Sequence, residues 1–173
     1  MNTLKTALKY TTLGVIIIVL AFLSLGLIHP SFNYSNTIKV DSSVEDAFTA
    51  FTDKERSGEW LIGYKGYNIL EGEPHKPGSK FLMKFEIEGN KMEFTETITA
   101  FKQNQEISFD METKYFNGAV QVKFSGSYPC TIEVNTVNSG INVFYCSMFY
   151  LMQGALKEQS QKNYNLLKEM IEQ

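Results

Sequence analysis

The sequence predicts an α+β fold in which a seven-stranded, curved antiparallel sheet wraps around a long C-terminal helix and an N-terminal transmembrane helix precedes both. Three observations favour it. An uncharged run lies near the N-terminus, apolar and polar residues alternate through the middle of the chain, and an apolar stripe at helical spacing lies near the C-terminus. With 173 residues, of which 43% are hydrophobic and 13% aromatic, the chain is long enough for one ordinary domain.

The uncharged run, residues 10–28, is predicted to be a transmembrane helix. At 1.5 Å per residue it would be about 28 Å long, close to the thickness of a bilayer's hydrocarbon core. A cleaved signal peptide is the alternative, with Ser24 and Gly26 as the small residues of a cleavage site. Because the apolar run continues past them to Ile28, an uncleaved single-pass anchor is favoured.

The lysines on either side of this run predict its orientation. Residues 1–9 form a short N-terminal segment that contains Lys5 and Lys9, whereas only Lys39 lies in the first twenty residues after the helix. Basic residues are retained on the cytoplasmic side of a membrane. We therefore expect a cytoplasmic N-terminus, with the soluble domain on the extracytoplasmic side.

The soluble part is expected to begin with a strand and two short helices. Residues 29–35 are predicted to be a linker, because Pro30 cannot continue the helix and polar residues follow it. Residues 36–41 alternate as a strand does. The capping box Ser42-Ser43-Val44-Glu45 then starts a helix, and a second helical turn leads to Trp60.

Six further runs with a period of two follow, separated by turn residues such as glycine, proline and asparagine. Short connections favour an antiparallel meander. The predicted strands are 64–71, 79–88, 91–102, 105–114, 118–126 and 130–137.

The last stretch, 141–173, is predicted to be one long helix that starts near Ile141 or a few residues later, with a bend at Gln153-Gly154. Its apolar residues recur at helical spacing. Residues 141–149 are also rich in β-forming residues, so an eighth strand there is the alternative.

Charge and composition exclude several classes of function. Residues 36–173 carry 14 basic and 19 acidic residues, with Arg56 as the only arginine, which argues against nucleic-acid binding. Two histidines and two cysteines outside any CxxC motif predict no metal site, and no cofactor is expected. If the domain lies outside the cell, a disulfide between Cys130 and Cys146 is an alternative to two free cysteines.

Several short matches follow the same order as in a known superfamily: Ile38-Lys39-Val40 before Val44–Phe48, then Ile69–Gly72 with Pro77–Ser79, Glu96–Ile98, and Asn165–Glu172. On these, residues 36–173 resemble the START-like, or SRPBCC, superfamily, which includes polyketide cyclase/dehydrase-like and birch-pollen-allergen (Bet v 1-like) proteins. The resemblance implies a helix-grip fold with an apolar cavity between sheet and last helix that binds lipids, sterols, polyketides or other hydrophobic molecules.

If the strands alternate as predicted, their inward faces and the last helix would line that cavity. A fully packed core is the alternative, since any sheet on a helix needs such residues. Glu96 lies in phase with this apolar face, where a buried carboxylate needs a hydrogen-bond donor. It is a candidate anchor for a ligand hydroxyl or a candidate general acid/base. Otherwise it is a residue at the sheet edge or the partner of a lysine. The candidate ligand-binding residues are Trp60, Phe81, Met83, Phe85, Phe94, Glu96, Phe109, Met111, Val122, Phe124, Tyr145, Met148 and Met152.

The expected function is that of a membrane-anchored domain, held by residues 10–28, that binds a hydrophobic small molecule or lipid. Two alternatives stay open. One is a non-catalytic interaction or stress-response module with a filled core. The other is a cyclase/dehydratase-type enzyme that uses Glu96; no other catalytic residue is predicted.

Overall fold

A long apolar helix leads into a sheet and a second long helix in the computed structural model, which describes residues 2–173. The first helix, α1 (Asn2–Ile28), is long and apolar enough to cross a membrane. The remaining elements are β1 (Ser31–Val40), α2 (Val44–Thr52), α3 (Ser57–Trp60), β2 (Tyr64–Glu71), β3 (Lys80–Ile87), β4 (Asn90–Lys102), β5 (Glu106–Glu112), β6 (Phe116–Ser125), β7 (Cys130–Gly140) and α4 (Val143–Ile171).

The seven strands form one antiparallel sheet in the order β1-β7-β6-β5-β4-β3-β2. Strands β2 to β7 are a meander, and β1 returns to pair with β7 at the sheet edge. The sheet curves around α4, so the predicted helix-grip fold is confirmed. Residues directly opposite each other on neighbouring strands share one face of the sheet. Examples are Ile98 opposite Phe109, and Phe109 opposite Val120.

The predicted linker is mostly strand. β1 begins at Ser31, which pairs with Ser139, and Phe32 is buried. The cause is the length of β7, which continues to Gly140, beyond its predicted end, and offers backbone partners to residues 31–35. Their polar side chains suit a strand whose outer face is exposed.

The eighth strand considered for 141–149 is wrong. Asn142 ends the sheet and caps α4, because its side-chain oxygen accepts a hydrogen bond from the Tyr145 backbone N–H at 3.1 Å. The helix then runs unbroken through Gln153-Gly154, where a bend was expected.

The proposed disulfide is also wrong, because both cysteines are free. Cys130 is the first residue of β7, whereas the Cys146 sulfur lies 3.4 Å from the carbonyl oxygen of Gly140, the last residue of that strand. The length of β7 separates them by about 30 Å, and a disulfide joins Cα atoms that are about 4.4–6.8 Å apart.

Two groups of buried side chains form the core. The larger one joins the inner sheet face, α2 and the last turns of α4, with Val40, Phe48 and Leu167 among its most buried members. A smaller group, Phe81, Met83 and Ile98, lies on β3 and β4.

Candidate ligand cavity

A cavity of about 280 Å³ lies between the sheet and the middle of α4. Members of both core groups line this cavity. The cavity therefore separates part of one core group from the other. Most of its wall is apolar. Its residues are Tyr34, Phe51, Thr52, Lys54, Ser57, Trp60, Leu61, His75, Met83, Phe85, Phe94, Glu96, Ile98, Ile107, Phe109, Met111, Val120, Thr136, Leu156, Gln159, Ser160, Asn163 and Tyr164.

Seven of the thirteen predicted site residues lie in this wall. They come from α3 and from strands β3, β4 and β5, where every second residue faces inward. Their common position does not by itself test ligand binding. These residues are Trp60, Met83, Phe85, Phe94, Glu96, Phe109 and Met111.

Three predicted residues on the sheet lie elsewhere. Val122 and Phe124 are buried in the larger core group, and the Phe124 ring packs edge-on against Phe48 with centroids 5.1 Å apart. Helix α2 therefore fills the space above this part of the sheet. Phe81 is fully buried, with the Lys54 ammonium over its ring and Tyr67 packed beside it.

The three predicted residues on α4 lie in its first turns, away from the cavity. Tyr145 packs on Tyr115, with ring centroids 5.4 Å apart, Met148 is half-buried and Met152 is 44% exposed. The cavity lies further along the helix, because the first turns of α4 contact the end of the sheet and α1.

The residues that sequence reasoning missed are mainly polar. Leu156, Ser160 and Tyr164 follow one another at intervals of four and bring α4 over the cavity, facing Tyr34 and Thr136 on β1 and β7. The spacing of four between Leu156, Ser160 and Tyr164 could have indicated one helix face, but the polar Ser160 interrupts the apolar stripe. Tyr34 and Thr136 could not be found in this way, because local patterns do not reveal that β1 pairs with β7.

Glu96 is buried in the cavity wall and forms a salt bridge with Lys54 at 2.5 Å. The Lys54 ammonium also lies 4.6 Å from the centre of the Phe81 ring, a cation–π distance. Of the alternatives for Glu96, the lysine partner is the one observed. The carboxylate is thus an ion-pair member rather than an isolated acid.

Two tyrosine hydroxyls near the cavity are neutral polar groups, Tyr164 in its wall and Tyr64 outside it. The Tyr64 hydroxyl donates to the Lys54 carbonyl oxygen at 3.1 Å, and burial, with the nearby Glu55 and Glu96 carboxylates, raises the pKa of Tyr64 to about 12. Burial also raises the pKa of Tyr164. Both hydroxyls therefore keep their protons at neutral pH.

Trp60 packs between Phe51 and Tyr164, with ring centroids 5.3 Å and 6.1 Å away. Its side chain is 5% exposed, and no protein acceptor lies within hydrogen-bond distance of its indole Nε1–H. A buried donor without a partner is uncommon in folded proteins. The Trp60 ring thus lines the cavity while its N–H stays buried without a protein acceptor.

His75 lies in the turn between β2 and β3. It is exposed, and its ring stacks on Phe101 at 4.9 Å between centroids and borders the cavity. A surface groove outside shares Thr52, Lys54 and His75 with the cavity wall. Within residues 2–173, no three histidine, cysteine or acidic residues are grouped so that they could hold a metal ion.

Solved structures with this fold are numerous. The crystal structure of Ara h 8.0201 has a TM-score of 0.66 and 12% identity, with 82% of this chain and 97% of that one covered. The major latex-like protein 151 from Panax ginseng has a TM-score of 0.65 and 14% identity, covering 81% and 97%. The di-domain ARO/CYC BexL, from the BE-7585A biosynthetic pathway, has a TM-score of 0.67 and 13% identity, covering 98% of this chain and 60% of that one.

At such identities these likenesses show the fold alone, which is that of the SRPBCC superfamily. No curated protein matches the sequence significantly. A family model does match residues 41–168, which is most of the chain and nearly all of the domain that contains the cavity. The chain therefore belongs to the family described as Activator of Hsp90 ATPase homolog 1-like protein.

Proposed function

We propose that this protein is anchored in a membrane by α1 and binds a hydrophobic small molecule in the cavity beneath α4. The observation that carries the proposal is the cavity itself, lined by phenylalanine and methionine side chains on the sheet and by residues of α4 on the opposite side. Small-molecule sites are concave and mostly apolar, with a few polar groups that orient the ligand. Methionine side chains adapt to ligands of irregular shape.

The size of the cavity narrows the class of ligand. Its volume of about 280 Å³ is just below the roughly 300–1,000 Å³ typical of small-molecule sites. A compact ring system or a short chain suits this volume, and a whole two-chain phospholipid does not. Among the hydrophobic ligands expected from the sequence, a small molecule is thus favoured over a membrane lipid.

The polar groups in the cavity wall narrow the class of ligand further. The Glu96–Lys54 pair offers an acceptor and a donor. A ligand with an apolar body and one carbonyl or hydroxyl group would form a hydrogen bond with this pair and bury its apolar part against the rest of the wall.

Ligand retention by purified protein tests this proposal. The full chain, purified in mild detergent, is extracted with organic solvent, and small molecules are measured by mass spectrometry in wild type, Met111→Trp and Met92→Trp. Met111 lines the cavity, whereas Met92 is exposed outside it. We expect one compound retained by wild type and Met92→Trp and lost from Met111→Trp, because the larger ring fills the cavity. Absence of any specific compound would favour the filled-core interaction module.

A further inference from the structure

Helix α1 does not simply tether the domain, because its last two turns pack on the first two turns of α4. The Phe22 and Phe144 rings meet edge-to-face with centroids 5.5 Å apart, and the Gly26 backbone N–H donates to the Ser147 hydroxyl oxygen at 2.9 Å. Phe22 contacts Phe144 and the later Gly26 contacts the later Ser147, so the two helices are parallel.

The contact with α4 falls within the uncharged run that is proposed to span the bilayer. The uncharged residues before it, 10–21, reach about 18 Å at 1.5 Å per residue, which is less than the roughly 30 Å of the hydrocarbon core, and Lys5 and Lys9 precede them. Residues 22–28 would complete the crossing. The membrane surface would then lie between Phe22 and Ile28, at the level of the first turns of α4.

A group of apolar and aromatic residues surrounds this point, and we call it the junction patch: the exposed Tyr115, Ile141 and Phe144 and the half-buried Tyr145, with Lys114 beside them. Ile141 is 50% exposed and Phe144 is 53% exposed. The Ile141 N–H donates to the Tyr115 carbonyl oxygen at 3.0 Å, and the Lys114 ammonium lies 4.9 Å from the Tyr115 ring centre. The β5–β6 hairpin and the start of α4 are thus one continuous surface.

We infer that the junction patch lies in the interfacial region of the bilayer, so that the domain rests on the membrane instead of moving freely above it. The occupant is lipid because the patch is continuous with the apolar helix at the Phe22–Phe144 contact. Tyrosine rings favour the headgroup level of membranes, and a lysine there can reach the lipid phosphates. This inference rests on the proposed anchoring by α1.

Quenching by brominated lipids tests the depth of the junction patch. The full chain is reconstituted into phosphatidylcholine vesicles with and without bromine at acyl carbons 6 and 7. Since Trp60 is the only native tryptophan, each added indole is measured against a common background. We expect bromine to quench the emission added by Phe144→Trp or Tyr115→Trp. The control Ile69→Trp, on exposed β2 at the far edge of the sheet, keeps its emission.

Alkaline extraction of the same vesicles separates the two possible failures. Protein released by alkali would overturn the anchoring by α1 and the inference with it. Protein that stays in the vesicles while the indoles at 144 and 115 emit as strongly with bromine as without it would overturn the junction patch alone. The two positions lie on different elements, so loss of the Phe22 contact in one variant does not decide the result.

Discussion

Glu96 illustrates how a single charged residue is accommodated in an apolar wall. Its side chain is 8% exposed, and its only charged partner among the described residues is Lys54, which reaches it from the segment after α2. Phe81 supports the lysine from one side. The pair therefore connects the short helices to β4 at one end of the cavity.

Replacing Glu96 by Gln is expected to lower the free energy of unfolding by about 1–3 kcal/mol, because the Lys54 ammonium loses its partner at a mostly buried site. Denaturant titration of the full chain in detergent measures the change. Adding Lys54→Met should recover most of the loss, since no unpaired charge is left.

The matched control is Glu59→Gln, which removes an exposed pair with Arg56 and should cost clearly less than Glu96→Gln, because solvent screens the exposed charges. Equal losses for the two glutamine variants would contradict a stabilising role for the buried pair.

The contact between α1 and α4 depends on the absence of a side chain at Gly26. A Cβ atom there would meet the Val143 carbonyl oxygen and the Ser147 hydroxyl well inside contact distance, whereas one at Gly14 would meet nothing within 4 Å. Small residues allow helices to approach closely in this way. Because of this close approach, α1 packs on the domain and is more than a flexible connection to it.

Gly26→Leu is therefore expected to separate α1 from α4 without unfolding the domain, and Gly14→Leu to have no such effect. Hydrogen–deuterium exchange in lipid nanodiscs measures it, with faster exchange expected at residues 143–150 for Gly26→Leu only. The docked arrangement is wrong if both variants exchange at the wild-type rate there.

The elements themselves were largely predictable, because local patterns determine most of them. β2 has the predicted bounds, 64–71, and each end of strands β3 to β6 lies within two residues of its prediction. The exceptions depend on distant partners. Residues 31–35 are strand because β7 continues beside them, and the first turns of α4 face α1 and not the cavity.

At the scale of the whole molecule, sequence reasoning predicted the walls of the cavity better than its ends. Strand alternation brings Met83, Phe94 and Met111 to one surface, as expected. It does not reveal how far α2 covers that surface, and for this reason Val122 and Phe124 are core residues. The volume left empty is a property of the packed whole, which no local pattern encodes.

The same geometry relates the cavity to the membrane. Because α4 runs parallel to the end of α1, Leu156 and Asn163 lie about 9 and 20 Å along the helix from Tyr150, which stacks on His29 next to the end of α1. A ligand dissolved in the bilayer would thus have only a short distance to travel. With α1 in the membrane as proposed, a cavity of fixed size at this distance should select its ligands by length.

A series of 4-alkylphenols tests this selection, with Trp60 emission as the reporter because this single tryptophan lines the cavity. Each added methylene should tighten binding about fourfold, from roughly 0.8 kcal/mol of burial, until the cavity is full. Beyond that length the gain should stop. Val120→Phe narrows the cavity and should bring the limit to a shorter chain. Affinity that rises without limit in both proteins would indicate partition into the membrane, and an unchanging Trp60 signal would indicate a filled core.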